Sequence, residues 1–172
     1  MLRVLPLFLI AAACSRAPAH SSDAHGSATP PGASSAPVPA APAAPTATIT
    51  LAGASGPIVV HAEVVKSRGR VQKGLMYRKF LAPDAGMLFL MGEEDDHHFW
   101  MHNTLIPLDI MFITKDLKVA GVLENLQPLD DTSRGVGKPS LYVLEVNAGW
   151  AKAHGVGAGT AVTFAGVDAA AQ

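Results

Sequence analysis

The sequence predicts an α+β fold, in which a disordered tether precedes a single β-rich domain with a mostly antiparallel, barrel-like sheet and one main helix. Segments with the composition of strands outnumber helical segments by about seven to two. Turn residues between strand segments, such as Lys115-Asp116, indicate hairpins and therefore antiparallel pairing. Of the 172 residues, about 120 remain once the first 48 are set aside, which is enough for one core and one pocket.

Residues 1–13 have the pattern of an export signal. Arg3 supplies a positive charge, residues 4–10 are apolar, and three alanines follow. The apolar run is much shorter than the ~20 residues of a spanning helix. Cys14, the only cysteine, comes next, and the run Leu-Ile-Ala-Ala-Ala-Cys resembles the lipobox of bacterial lipoproteins. That resemblance implies lipidation of Cys14 and an exported protein of the cell envelope, facing the periplasm from the outer membrane. A cleaved ordinary signal peptide and an uncleaved N-terminus are the alternatives.

Residues 14–48 are expected to carry the lipidated cysteine and then form a semi-extended spacer. Ala, Pro, Ser, Gly and Thr dominate, and closely spaced prolines exclude a helix or a central strand. Such a segment cannot bury enough apolar surface to offset the entropy of ordering. His20 and His25 are interpreted as solvated linker residues. If Cys14 is lipidated, no cysteine is left for a disulfide, so packing alone must stabilise the domain.

The folded domain is predicted to span residues 49–167. Residues 67–79 have apolar side chains at helical spacing, which predicts the main helix with Ser67 as its N-cap. Gly74 within that helix costs about 1 kcal/mol relative to alanine, which indicates close packing against a neighbour. Strands are predicted over residues 58–65, 87–91, 99–102, 108–114, 119–126, 141–147 and 160–164. The remaining segments are a turn at 81–86, an acidic exposed loop at 92–98, a long loop at 127–140 beside the binding site, and a short helix over 148–154.

Asp109 stands in an otherwise apolar strand. Alternation puts it on the face shared by Met111 and Ile113, where a carboxylate must be hydrogen-bonded, paired with a cation, or protonated. One interpretation is a ligand-binding or catalytic role. The other is that Asp109 accepts backbone N–H bonds from the bend at residues 103–106 and stabilises that turn.

Glu145 is the second acid in an apolar strand. If Glu145 and Asp109 face one cavity, repulsion between their charges raises one pKa, which is how a general acid–base pair is built. The other interpretation is an ion pair between Glu145 and Arg78 or Lys138 at the end of the strand. The sequence leaves both open.

Two aromatic residues, Trp100 and Tyr142, offer flat apolar surfaces with a polar edge. Such side chains are suited to stacking on a sugar or an aromatic ring, although either can equally belong to the core. Asn103, Thr104 and Arg78 would complete a polar rim around the stacked ligand. These five residues are the predicted ligand-binding set, together with the carboxylate in the following strand.

A metal site is the third possibility for this region. Residues 93–98 combine four acids with two histidines, and only His98 and His102 share a strand face, with Trp100 between them. A structural zinc site needs four well-spaced ligands, and no cysteine is available. Copper bound through His98, Met101 and His102 would make this a metal-handling protein. The alternative is a solvated acidic loop, and we expect no metal and no cofactor.

The charge balance and the missing motifs disfavour several classes of protein. With 13 basic and 14 acidic residues, the net charge of −1 provides no bulk attraction to nucleic acid. The sequence contains no Gly-x-Ser-x-Gly, no phosphate-binding loop and no His-Glu-x-x-His. The common hydrolase classes are therefore disfavoured. The expected partners are a small molecule and a membrane, which the protein would reach through its lipid. The domain is expected to be a monomer.

Four sequence blocks resemble the family called domain of unknown function 192, small and often exported proteins of bacteria and archaea. The blocks are residues 74–78, 86–89, 99–109 and 142–149, and the similarity covers roughly residues 58–165. The resemblance implies a compact β-rich α+β fold with a shared site around residues 99–109, and it brings no established activity. His102 stands where lysine is usual, Arg70 where an acid is common, and Thr160 where glycine is typically followed by aspartate. A histidine at position 102 would make binding pH-dependent near ~6.5.

The sequence therefore predicts a lipid-anchored envelope protein that binds a small polar ligand, such as a saccharide or a cell-wall fragment. Trp100 would stack on the ligand, while Asp109, Asn103 and Arg78 would form hydrogen bonds with it. The alternative from another class is an acid–base enzyme that acts on such a fragment through Asp109 and Glu145.

Overall fold

The computed structural model describes residues 46–167, which form seven strands and two short helices. In chain order these are β1 (Thr46–Gly53), β2 (Gly56–Val65), α1 (Arg68–Lys73), β3 (Ala85–Asp95), β4 (Leu108–Ile113), β5 (Val119–Leu126), β6 (Ser140–Asn147), α2 (Trp150–His154) and β7 (Val162–Ala165). The predicted signal segment, Cys14, His20, His25 and the tether up to residue 45 lie outside the described residues. Because β1 begins at Thr46, the last three residues assigned to the tether belong to the sheet.

All seven strands belong to one mixed sheet in the order β5-β4-β6-β3-β2-β1-β7. Five of the six neighbouring pairs are antiparallel, and the pair β2–β3 is parallel. The prediction of a β-rich domain with few helices is confirmed, but the sheet is not a closed barrel. The edge strands β5 and β7 approach each other at an isolated bridge between Lys118 and Ala161, without a continuous ladder.

The parallel pair arises from the connection between β2 and β3. Residues 66–84, which contain α1, carry the chain back to the middle of β2, so that His61 pairs with Ala85 and Val65 with Phe89. Parallel strands need such a crossover, whereas a tight turn joins antiparallel ones. The turn at Lys115-Asp116 joins β4 and β5 as predicted, and these two strands are antiparallel.

The sheet buries apolar side chains on both faces. Alternate residues of β4 and β6 contribute to a first cluster, which includes Met111, Ile113, Leu144 and Val146. The intervening residues contribute to a second cluster, which includes Ile110, Phe112 and Val143. Leu75, Leu81 and Met101 cover this second face, and they come from the β2–β3 crossover and from the segment that follows β3.

Three predicted local elements differ in the structure, and β1 was not predicted as a strand. The helix expected over residues 67–79 is confined to Arg68–Lys73, because Gly74 ends it with φ 46°; Ser67 is at the N-cap but forms no side-chain cap bond. The strand expected over residues 99–102 is reduced to one bridge between Phe99 and Arg134. In the segment expected to be an acidic loop, β3 continues with exposed residues to Asp95.

Neither helix within residues 46–167 has the length and apolar composition needed to cross a bilayer.

Candidate functional site

The candidate site is a cleft of about 150 Å³ on the second face of the sheet. We call it the first cleft. Its walls are the end of α1 with the turn that follows it, and residues 98–104, which we call the Trp100 segment. The lining residues are Val71, Gln72, Lys73, Gly74, Leu75, Met76, Met91, His98, Phe99, Trp100, Thr104 and Glu145.

Backbone hydrogen bonds to the loop before β6 hold the Trp100 segment in place. Phe99 and Arg134 exchange two bonds of 2.8 Å, and Met101 N–H donates to the carbonyl of Asp130 at 2.8 Å. The Phe99 ring meets Phe89 and Phe112 edge to face, with ring centroids 5.3 and 5.9 Å apart. The segment is therefore anchored on the sheet although it is not a strand.

Trp100 is directed away from that anchor. Its neighbour Met101 is buried, whereas 44% of Trp100 is exposed. The indole stacks on the His102 ring, with centroids 4.9 Å apart and planes inclined by 26°. His102 Nδ1 lies 2.7 Å from an Asp131 carboxylate oxygen, which restrains the imidazole. The exposed indole thus lies at the mouth of the cleft with its orientation supported by a neighbour.

A strained bend joins the Trp100 segment to the turn after α1. Tyr77 N–H donates to the Asn103 carbonyl at 2.9 Å. Both residues have positive φ, 64° at Tyr77 and 53° at Asn103, a conformation that costs energy for residues other than glycine. Thr104 is buried, and its hydroxyl donates to the His102 carbonyl at 3.3 Å. One main-chain hydrogen bond, from Tyr77 to Asn103, therefore joins the two walls of the cleft.

Glu145 lies at the base of the cleft. It is in the middle of the sheet, paired with Met87 of β3 and Ile110 of β4, and its side chain is buried. Within the described residues its Oε2 has no hydrogen-bond partner. Burial raises the pKa of this carboxyl to about 8, although the positive charge of Arg78 acts in the opposite direction. The carboxyl is therefore mostly protonated at neutral pH.

Gly74 leaves room for that carboxyl. A Cβ at this position would lie 3.3 Å from the Phe89 ring and 3.6 Å from Glu145 Oε2. The close approach expected at Gly74 is confirmed, although the glycine ends α1 instead of lying within it. Its positive φ and the neighbouring acid both favour glycine here.

A second cleft of about 330 Å³ adjoins the first, and Lys73, Gly74 and Met76 line both. Arg78 lies in this second cleft and forms a two-pronged ion pair with Glu63 of β2, with Nη2 to Oε2 at 2.7 Å. The hydrogen bond from Arg78 lowers the pKa of Glu63, and the same contact raises the pKa of Arg78. Arg78 therefore pairs with Glu63, and the direct ion pair with Glu145 considered from the sequence does not form.

Asp109 is close to Glu145 along the sheet but lies on the other face. It is fully buried on the opposite face of the sheet, where its carboxylate accepts bonds from the backbone N–H groups of Asn125, Gly149 and Ala151 at 2.8, 3.0 and 2.9 Å. The ligand-binding and catalytic roles predicted for Asp109 are therefore corrected to a structural one. The interpretation as a backbone acceptor is right in kind, but the donors belong to β5 and to the start of α2 instead of the bend at 103–106.

Tyr142 also lies away from the cleft. It is buried in the first cluster, on the face opposite Glu145, and meets Phe164 edge to face at 5.0 Å. Of the predicted binding set, Trp100 and Thr104 line the first cleft, Arg78 lines the second, and Asn103 contributes its carbonyl to the bend. Tyr142 and Asp109 are excluded from both clefts, so the polar rim is only partly as predicted.

The proposed metal ligands do not form one set. Met101 is buried, His102 contacts Asp131, and His98 Nδ1 lies 3.1 Å from the Asp96 carbonyl. No group of three or more His, Cys, Asp or Glu side chains suited to a metal ion occurs among residues 46–167. The copper site built from His98, Met101 and His102 therefore has no support in the geometry.

Sequence reasoning missed Lys73, Gln72 and Met76 as lining residues, and it did not consider Glu145 as a site residue without Asp109. A signal for the second point was present, since Glu145 is the single acid in the apolar strand Leu-Tyr-Val-Leu-Glu-Val. A single buried acid can indicate a binding site without a second acid, provided that a cleft lies next to it. No local signal distinguished the lining residues of α1 from other exposed side chains.

A family model and two solved structures are similar to this chain. The sequence model of the family DUF192, described as uncharacterized ACR, matches residues 49–164. A solved protein of unknown function from Novosphingobium aromaticivorans is 39% identical, with a TM-score of 0.65, over 67% of this chain and 83% of that one. A solved protein from Sinorhizobium meliloti, described as a candidate transcription regulator, is 37% identical, with a TM-score of 0.68, over 71% of this chain and 95% of that one. No curated protein matches the sequence.

Proposed function

The chain belongs to the DUF192 family, and from that premise we propose that it is an exported, lipid-anchored envelope protein that binds a small polar ligand, such as a saccharide or a cell-wall fragment, in the first cleft. One observation carries the binding proposal. The carboxyl of Glu145, buried and without a partner at Oε2 among the described residues, forms the base of a cleft whose mouth holds an exposed tryptophan.

A buried polar atom without a partner is rare, since most such atoms in native proteins are hydrogen-bonded. Leaving one unsatisfied costs about 1–3 kcal/mol. A ligand hydroxyl or amide in the first cleft would provide the missing bond. Because burial raises the pKa of Glu145 to about 8, its carboxyl can donate as well as accept at neutral pH. A sugar hydroxyl, which also does both, matches this group.

Trp100 supports a ring-shaped ligand. Its indole is partly exposed beside the cleft, and its contact with His102 limits its motion. Aromatic side chains provide large, rigid contact surfaces with a polar edge, which suit the apolar face of a sugar. At about 150 Å³ the first cleft is smaller than the ~300–1,000 Å³ typical of pockets for drug-sized ligands, so it would hold one sugar ring, and the second ring of a disaccharide would lie outside it.

Export and anchoring rest on the sequence of the first 48 residues. The positive charge at Arg3, the short apolar run and the following Cys14 support a lipoprotein signal. The Ala/Pro-rich spacer would then hold the binding domain some tens of ångströms from the membrane, at ~3 Å per residue. A cell-wall ligand would be within reach of such a domain.

The direct test is titration of the full-length chain with the cell-wall disaccharide N-acetylglucosaminyl-N-acetylmuramic acid, followed by calorimetry. We expect saturable binding, and about a tenfold or greater loss of affinity in Trp100→Ala, because the stacking surface is removed. Phe80→Ala is the matched control, since Phe80 is 74% exposed and lines neither the first nor the second cleft. Absence of binding, or equal affinity in both variants, would overturn the proposal.

A further inference from the structure

We propose that the ligand is anionic: its ring occupies the first cleft beside Trp100, and its negatively charged group lies over Lys73 and Arg70 in the second cleft. This inference rests on the proposed function and adds to it the chemical class of the ligand. The shared chemistry is a sugar that carries a carboxylate or a phosphate group.

The two clefts form one continuous surface around the end of α1. Lys73, Gly74 and Met76 line both, and Arg70 lines the second. A ligand seated beside Trp100 can therefore extend past Gly74 without leaving the protein surface. The absence of a side chain at Gly74 keeps that passage open.

The charge around this passage is opposite to that of the whole chain. The chain carries a net charge of −1, but residues 66–79 contain six basic residues and no acid: Lys66, Arg68, Arg70, Lys73, Arg78 and Lys79. The second cleft itself is lined by three cations and one carboxylate, that of Glu63. A positively lined cleft concentrates anions even when the protein is nearly neutral.

The cations of α1 remain available to a ligand. Arg78 is bound by Glu63, whereas within residues 46–167 no carboxylate lies within the 4.0 Å of an ion pair from Arg70 or Lys73. Arg70 interacts with Glu63 only at longer range. Arg70 and Lys73 are both exposed, so binding an anion would cost them little desolvation.

The buried carboxyl is compatible with an anionic ligand because of its protonation. If Glu145 were ionised, it would repel an anion held at Lys73. Burial keeps it mostly neutral at pH 7, so that it can donate its proton in a hydrogen bond to a ligand oxygen. A cationic ligand, which would pair with ionised Glu145, is opposed by Lys73 in the first cleft and Arg78 in the second.

A matched set of sugars tests the inference. N-acetylmuramic acid and N-acetylglucosamine differ by a lactyl carboxylate, and N-acetylglucosamine 6-phosphate carries a phosphate instead. Calorimetry with the full-length chain at pH 7 and low salt should show at least one of the two anionic sugars binding about tenfold or more tightly than the neutral one. Which of them does so identifies the anionic group.

The variants separate this inference from the proposed function. Lys73→Met should abolish the preference for the anionic sugars, whereas Lys79→Met, outside both clefts, should retain it. Equal binding of all three sugars, or a preference that survives Lys73→Met, would overturn the anionic ligand and leave saccharide binding intact. If none of the three sugars binds, the anionic-ligand inference fails, and the disaccharide titration decides whether the proposed function fails with it.

Discussion

Asp109 and Glu145 lie on opposite faces of the same sheet, although β4 and β6 bring them within one residue of direct pairing. Asp109 pairs with Val146, and Glu145 pairs with Ile110. Because successive side chains of a strand alternate between the faces, this register sends one carboxylate into each of the two apolar clusters. The two acids cannot act as a general acid–base pair, and their separate surroundings give each a different role.

Asp109→Asn should destabilise the protein without weakening binding in the folded state. The carboxylate accepts three backbone N–H bonds, and an asparagine would turn an N–H group of its own toward at least one of those donors. Bonds to a charged acceptor are worth about 1.5–3 kcal/mol each and are not additive, so we expect a loss of about 3 kcal/mol. Urea unfolding measures the stability, and titration with the disaccharide measures the binding.

Asp116→Asn is the control for this prediction, since Asp116 is exposed in the β4–β5 turn and should tolerate the change with little effect. An unchanged urea midpoint in Asp109→Asn would contradict the structural role. Loss of binding at retained stability would return Asp109 to the ligand-binding set.

Glu145→Gln should stabilise the protein at alkaline pH. The folded-state pKa of Glu145 is about 8, against 4.5 for the ordinary carboxyl, so between these values the folded state holds a proton that the unfolded state has released. The contribution of Glu145 to the free energy of unfolding of the wild type is therefore fully present below pH ~4.5, and it is lost as the pH rises to about 8. The shift corresponds to roughly 5 kcal/mol, which sets the upper size of the gain in Glu145→Gln at pH 9.

The measurement is urea unfolding at pH 5, 7 and 9, with Glu124→Gln as the control, since Glu124 is exposed in β5. The difference between Glu145→Gln and wild type should grow with pH, and that of Glu124→Gln should stay small. A gain that is equal at all three pH values would mean that Glu145 is not buried in its neutral form. If Glu145→Gln stabilises the protein and also weakens sugar binding, Glu145 contributes to ligand binding and lowers the stability of the protein.

Cys14→Ser should release the protein from membranes. If Cys14 carries the lipid, the serine variant has no acyl chain and no remaining anchor of that kind, while Ser15→Ala should behave as wild type. The measurement is the distribution between membrane and supernatant after ultracentrifugation, together with incorporation of a labelled fatty acid. Retention of Cys14→Ser in the membrane fraction, or unlabelled wild-type protein, would refute the lipid anchor.

Local sequence patterns predicted most strands. They could not predict the register between strands that are distant in the sequence. Residues 119–126 were predicted as a strand and form β5 with those bounds, because composition and flanking turns are local signals. Alternation also put Asp109 correctly with Met111 and Ile113. Whether Glu145 lies on the same face of the sheet as Asp109 depended on the register between β4 and β6, because a shift of one residue moves every side chain of a strand to the other face.

Local sequence patterns also did not predict that the sheet is open and mixed. The parallel pairing of His61 with Ala85 depends on where the crossover through α1 delivers the chain. At the site, the exposed indole of Trp100 was one of two open interpretations, and the anchoring that directs it outward depends on the distant residues Arg134 and Asp130. What the sequence did indicate was the close approach at Gly74.

Gly74→Ala and Gly69→Ala should have opposite effects, although both add one methyl group to the same region. At Gly74 the methyl would lie 3.3 Å from Phe89 and 3.6 Å from Glu145, with φ at +46°. We expect a loss of about 1–3 kcal/mol in stability from the strained backbone and about tenfold weaker binding of the disaccharide. Gly69 lies within α1 with nothing within 4 Å, so alanine there should add about 0.5–1 kcal/mol and leave binding unchanged. Urea unfolding and calorimetry of the two variants decide between these outcomes. If Gly74→Ala binds the disaccharide as tightly as Gly69→Ala does, the ligand does not approach Glu145, and the first cleft is not the binding site.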